Sequence, residues 1–143
     1  MQAVTIGHIA RSTGCKVQTI RYYEQIGLMP RPDRTEGNQR LYTRADIGRL
    51  VFIRHARDLG FSIEAIREFL GMADRPDLPC AEADAIVLRH LQDVKTRIAR
   101  MQALQAELER MLRHPAGGAI SGCRVIEVLA DHRQCLAEAH DEA

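Results

Sequence analysis

The chain has 143 residues, 45% of them hydrophobic but only 4% aromatic, with no tryptophan and a formal net charge of +1. That length fits one domain or two small ones, and the composition points to helices packed through aliphatic side chains. No apolar run approaches the roughly 18 residues of a membrane span. No basic stretch followed by an apolar core marks a signal peptide, and no acid/base or nucleophile constellation marks an enzyme, so the expectation is a cytoplasmic protein that is not an enzyme and has no membrane partner.

The near-neutral total hides a division. Residues 1–60 carry ten Lys and Arg against five Asp and Glu, whereas residues 61–143 carry ten against fourteen. A basic front and an acidic back predict that only the front meets a polyanion.

In chain order, Thr5 is the expected N-cap of a first helix within residues 4–11, with Ile6, Ile9 and Ala10 inward and Gly14 closing it. Residues 16–25 read as a second helix, with Val17, Ile20 and either Tyr23 or Glu24 inward, stopped by Gly27. Helix, short glycine turn, helix is the helix-turn-helix pattern. Lys16, Gln18, Thr19 and Arg21 fall on faces of the second helix that the core does not need. Arg and Lys neutralise phosphate or bind guanine, and Gln and Thr read base edges. Tyr22 or Tyr23 is expected to donate its hydroxyl to phosphate while its ring packs.

Pro30 and Pro32 forbid helix. Glu36-Gly37-Asn38 is a turn signal between Arg34 and Arg40-Leu41-Tyr42, which predicts a short β-hairpin, a wing, over residues 33–42. Arg34, Asn38, Arg40 and Tyr42 are its expected DNA contacts. Thr43 caps a helix over residues 45–59 whose inward face is Ile47, Leu50, Val51 and Ile53 or Arg54; Arg54 and Arg57 extend the basic stripe. Any single arginine here also reads as a solvated surface residue; the combination favours DNA. Ser62 caps a helix over residues 63–72, with Ile63, Ile66, Phe69 and Leu70 inward.

After a linker with Pro76 and Pro79, a regular pattern begins at Ala81. Val87, Leu91, Val94, Ile98, Met101, Leu104 or Gln105, Leu108 and Leu112 step by three and four, an a/d seam. A helix of about 32 residues spans about 48 Å, too long a stripe for a small domain to bury. A homodimeric coiled coil, parallel or antiparallel, covers it; the alternative is one helix folded back on the front half. Pro115 breaks the helix, residues 124–130 allow two further turns, and the charged end reads as a loose tail.

Four cysteines occur, Cys15, Cys80, Cys123 and Cys135, and in a cytosolic chain they are expected to stay reduced. Three of them lie in the back half with His90, His114, His132 and His140.

The stretches TIRYYEQIGL, RTEGNQRLY and IRHARDLGFSIEAI, and the order of elements around them, resemble the MerR family of transcription regulators. The resemblance runs through nearly the whole chain. It implies a mainly α fold: a winged helix-turn-helix DNA-binding domain over residues 1–75, a linker over 76–80, a dimerisation helix over 81–113, and an effector loop, short helix and tail over 114–143. It also implies a homodimer with an antiparallel coiled coil, bound to a promoter whose two recognition elements are spaced too widely. Effector binding in that family untwists and bends the DNA so that RNA polymerase engages both elements, a readout through deformability.

The short segment after the long helix narrows the effector class. It holds no aromatic residue to line an organic pocket, and one loop cysteine where an iron–sulfur site needs four. A metal ion remains. The family's metal sensors carry a cysteine at each end of this loop; here Cys123 stands at the end and His114 at the beginning. Members that sense monovalent copper, silver or gold have serine at the Cys80 position, so Cys80 points to the divalent class of zinc, cadmium, lead, mercury or cobalt. A set of Cys80, His114 and Cys123 matches Zn²⁺ or Cd²⁺ coordination, with Pb²⁺ the third expected effector. His132 and Cys135, three residues apart, are further donors, with His140 beyond them. Ala119 and Ile120 are expected to shield the ion.

Each residue has a plainer reading. Cys80 and Cys123 read equally as small buried hydrophobes, His114 as a helix-end residue favoured by the dipole, His132, Cys135 and His140 as tail, Cys15 as packing and His90 as surface. Three other functions stay open: a thiol redox sensor on the same scaffold using Cys123 or Cys135, a copper(I)-type sensor, and an architectural DNA-binding protein with no effector.

Overall fold

The computed structural model describes residues 3–37, 40–113 and 117–135. Asn38, His114, Pro115 and the tail from residue 136 lie outside the described residues. The chain divides into two compact units, Met1–Ala83 and Asp84–Ala143.

In the first unit a short strand, β1 (Val4–Thr5), leads directly into helix α1 (Ile6–Thr13). Thr5 serves both: its side chain accepts the His8 N–H, satisfying one donor that the helix start leaves open. Gly14 ends α1 in the left-handed region at φ 72°, a conformation that glycine adopts without the Cβ clash. A Cβ at residue 14 would also run into the Arg54 guanidinium. Helix α2 (Val17–Gln25) follows and terminates through Gly27 at φ 82°. The N–H groups of Leu28 and Met29 then return to the Tyr23 carbonyl at 2.9 and 3.1 Å.

The wing is present as antiparallel strands β2 (Asp33–Arg34) and β3 (Arg40–Tyr42). The sheet has a third member: Val4 pairs with Tyr42 and Thr5 with Leu41, giving the order β1-β3-β2. From the sequence alone, Val4 and Thr5 belong to a helix start instead. Two residues are too few to show strand alternation, and the capping signal of Thr5 is genuine, so the strand has no signature of its own.

Helix α3 (Arg44–Asp58) starts with a full capping box: Thr43 Oγ1 accepts the Asp46 N–H at 3.2 Å and the Asp46 carboxylate accepts the Thr43 N–H at 2.8 Å. Its buried residues are Leu50, Ile53 and Ala56. Val51, expected inward, is 49% exposed, because the stripe advances by three-residue steps and leaves position 51 one residue, about 100°, off the core. Helix α4 (Ile63–Ala73) is capped by Ser62, which accepts the Ala65 N–H at 3.1 Å. Phe61 and Phe69 meet edge to face at 5.1 Å. Ile9, Ile20, Leu28, Tyr42, Leu50, Ile53 and Ile66 are wholly out of solvent, each such apolar side chain contributing roughly 1.5–3 kcal/mol.

The second unit is built on helix α5 (Ala81–Met111). It ends at Met111, so Leu112, the last expected seam residue, falls in the following turn. A 3₁₀ turn (Ile120–Gly122), helix α6 (Arg124–Ala130) and a second 3₁₀ turn (His132–Gln134) complete the unit. Val128 of α6 and Met111 are buried, whereas Leu91, Ile98, Met101 and Leu108 of the seam are 44–59% exposed. No helix among the described residues is long and apolar enough to cross a membrane.

Candidate functional site

The helix-turn-helix is held by hydrogen bonds inside and across its turn. Thr13 donates its hydroxyl to the Ile9 carbonyl at 2.6 Å, and its oxygen accepts the Cys15 N–H at 3.3 Å. Arg54 of α3 donates Nη1–H to the Thr13 carbonyl, where it caps the exposed C-terminus of α1. Two further arginines fix the chain after α2: Arg49 donates Nε–H to the Leu28 carbonyl at 2.6 Å and Arg67 donates to the Ile26 carbonyl at 2.8 Å. Neither role is legible in the sequence, since a contact across 21 or 41 positions leaves no local mark.

On α2, Lys16, Gln18, Arg21 and Tyr22 are exposed and Thr19 is half-buried. Gln18, Thr19 and Tyr22 line a shallow cleft of about 340 Å³ together with Arg57. Tyr23 packs in the core, and its phenol is raised above its ordinary range by burial first and by the neighbouring Cys15 second. On the wing, Arg34 is exposed and Arg40 keeps 26% of its side chain in solvent.

Tyr42 corrects the expectation of a DNA contact. It is wholly buried, and its hydroxyl donates to Glu24 Oε1 at 2.9 Å. Burial, and after it the bond to Glu24, pushes the phenol strongly upward. An aromatic residue inside a basic hairpin reads as an interface residue; a strand's alternation sends it inward instead. Glu24 was legible as an oddity, a carboxylate at the α2 position where the helical period calls for an apolar residue.

In the second unit, Glu107 is only 6% exposed. Its carboxylate lies 3.8 Å from Arg110 Nη1 and accepts the Cys135 thiol. Arg110 also donates to the Gln134 carbonyl, so one face of α5 holds the segment after α6. Burial and then Glu107 push the Cys135 thiol up. Asp131 accepts the Arg133 backbone N–H at 3.0 Å and its guanidinium at 3.0 and 3.1 Å, which holds its carboxyl below its ordinary range.

Cys80 is exposed immediately before α5, and Cys123 is half-buried at the N-cap of α6 with no side-chain capping bond. His132 is exposed and Ile120 is 71% exposed. Among the described residues of a single chain, no three of His, Cys, Asp and Glu converge as a metal site.

Residues 4–72 match the family described as MerR HTH family regulatory protein, and residues 47–111 the one described as MerR, DNA binding. The chain belongs to the MerR family. Its members are regulators of transcription that bind DNA, which excludes an enzyme. The chain is 45% identical over 127 residues to the HTH-type transcriptional regulator ZntR of Escherichia coli (strain K12), covering 87% of this chain and 90% of that protein. It is 35% identical over 128 residues to the heavy metal-dependent transcription regulator 2 of Rhizobium meliloti (strain 1021), covering 90% and 87%. Among solved structures, the transcription regulator PbrR691 from Ralstonia metallidurans CH34 in complex with lead(II) superposes with a TM-score of 0.78 at 37% identity, over 88% of this chain and 98% of that one. The mainly helical winged fold read from the sequence is therefore the fold of this MerR protein.

Proposed function

We propose that this MerR protein is a metal-responsive transcription activator working as a homodimer on promoter DNA in the cytoplasm. Relatives named for heavy metals, and a neighbour solved with lead(II), support the metal effector. The observation that carries the reading is the pair of thiols that flank α5. Cys80 precedes the helix, Cys123 follows it, and the seam between them is open to solvent. A helix of 31 residues is about 46 Å long, too long a stripe for the short segment after it to cover. An antiparallel partner covers the seam and sets Cys80 of one protomer beside the Cys123 loop of the other.

The donors are then Cys80, His114 and Cys123, with His132 and Cys135 as further ligands. Two thiolates and an imidazole suit a borderline divalent ion, Zn²⁺, Cd²⁺ or Pb²⁺. Lys16, Gln18, Thr19, Arg21 and Tyr22 at the second helix and Arg34, Asn38 and Arg40 of the wing segment meet the duplex, Tyr23 supports the helix from the core, and Arg54 supports the turn. Ion binding changes how the dimer deforms the promoter, and RNA polymerase reads that change. A redox sensor on the same scaffold is disfavoured, because the relatives and the solved neighbour are named for metals.

The test is transcription in vitro with a panel of ions. Activation by Zn²⁺, Cd²⁺ or Pb²⁺, no response to Cu⁺ or peroxide, and at least a tenfold loss of response in Cys80→Ser with DNA binding retained are expected. A reduced dimer that binds no stoichiometric divalent ion sinks the reading.

A further inference from the structure

The cleft between α2 and the wing, about 500 Å³, is lined by Arg21, Arg31, Arg34 and Arg40. One carboxylate, Glu24, shares it. Its side chain is only 8% exposed; Oε2 lies 3.5 Å from Arg40 Nε while Oε1 accepts the Tyr42 hydroxyl. Arg40 Nε is itself buried and makes no hydrogen bond among the described residues, so the charge of Glu24 is what compensates it there.

A buried carboxylate in a phosphate-facing basic cleft works against affinity. Backbone affinity rises with each phosphate neutralised, and a carboxylate both repels phosphate and weakens an arginine's contact with it. The bond to Tyr42 does not require the charge, since a neutral amide oxygen also accepts a hydroxyl, though less strongly than a carboxylate. Phosphate contacts carry no sequence information directly, whereas base contacts do.

We propose that Glu24 restrains the DNA-facing cleft: its carboxylate weakens the contact of Arg40 with the phosphate backbone, lowers sequence-independent affinity, and so raises the share of binding that comes from base readout. Glu24 is a positioning residue acting through Arg40, and the inference rests on the DNA-binding reading of α2 and the wing.

The test uses the full chain and two probes, a duplex selected from a random library by the wild-type protein and a random-sequence duplex, each titrated across a NaCl series. Glu24→Gln keeps an acceptor for Tyr42 and removes the charge. On the random duplex it is expected to bind several-fold tighter at low salt. The slope of log K against log salt should steepen by about 0.9 for each phosphate gained, and the ratio of selected to random affinity should fall. The double variant E24Q/R40Q should lose the steepening. Tyr42→Phe, which keeps the charge and loosens the wing, should weaken binding without steepening the slope. If E24Q does not fold, Glu24→Met carries the same expectation.

An E24Q slope equal to or shallower than wild type overturns the inference, as does a steepening that survives in the double variant. If the wild-type protein binds neither duplex, the DNA-binding reading fails with it; if the wild type binds and only the E24Q expectation fails, that reading stands.

Discussion

Ile9, Ile20, Leu50, Ile53 and Ile66 are sealed from solvent in the N-terminal unit, whereas Leu91, Ile98, Met101 and Leu108 of α5 are 44–59% exposed within one chain. Both sets are aliphatic residues at helical spacing. The difference lies in what is available to cover them. Four short helices and a three-stranded sheet close around one another in the first unit. Among the described residues, only α6 and two 3₁₀ turns accompany the 31 residues of α5. The same pattern therefore specifies a closed core in one place and, on the dimer reading, an interface in the other.

That contrast can be broken by placing a charge in the seam. Ile98→Glu forces a carboxylate into a dry interface, and an uncompensated buried charge costs about 3–5 kcal/mol. The expected result is a monomer by sedimentation, with the N-terminal unit still showing a cooperative melt. A variant that stays dimeric means that the seam is not the interface. Leu50→Ala probes the closed side. It should lower unfolding stability by about 2–5 kcal/mol through the cavity it leaves, by the same amount at every protein concentration, whereas seam truncations should show concentration-dependent loss. The smallest effect is at a cap: Thr43→Ala removes half of the capping box and should cost about 1 kcal/mol in urea denaturation. No measurable loss there means that Asp46 alone holds the start of α3.

The features legible in the sequence were those encoded locally. Thr5, Thr43 and Ser62 cap helices, Gly14 and Gly27 take positive φ, and the wing forms where its turn residues place it. The features missed depend on distant partners. Arg49 and Arg67 reach back to the carbonyls after α2, Ala56 replaces Val51 on the inward face of α3, and Glu107 is buried off the a/d seam beside Arg110 and Cys135. Tyr42 differs from its expected place because residue type suggests an interface where strand geometry builds a core. For the effector site, Cys80, His114, Cys123, His132 and Cys135 are the donors that the sequence proposes. On the dimer reading they converge only across two chains, which no spacing within one chain encodes.

Thr5 has a practical side. Its backbone pairs with Leu41 at the sheet edge while its hydroxyl caps α1. A fusion tag or a protease that disturbs these first residues therefore strips a strand and a helix cap together, beside the element expected to touch DNA. Weak DNA binding by a tagged preparation would report on its handling before it reported on its biology.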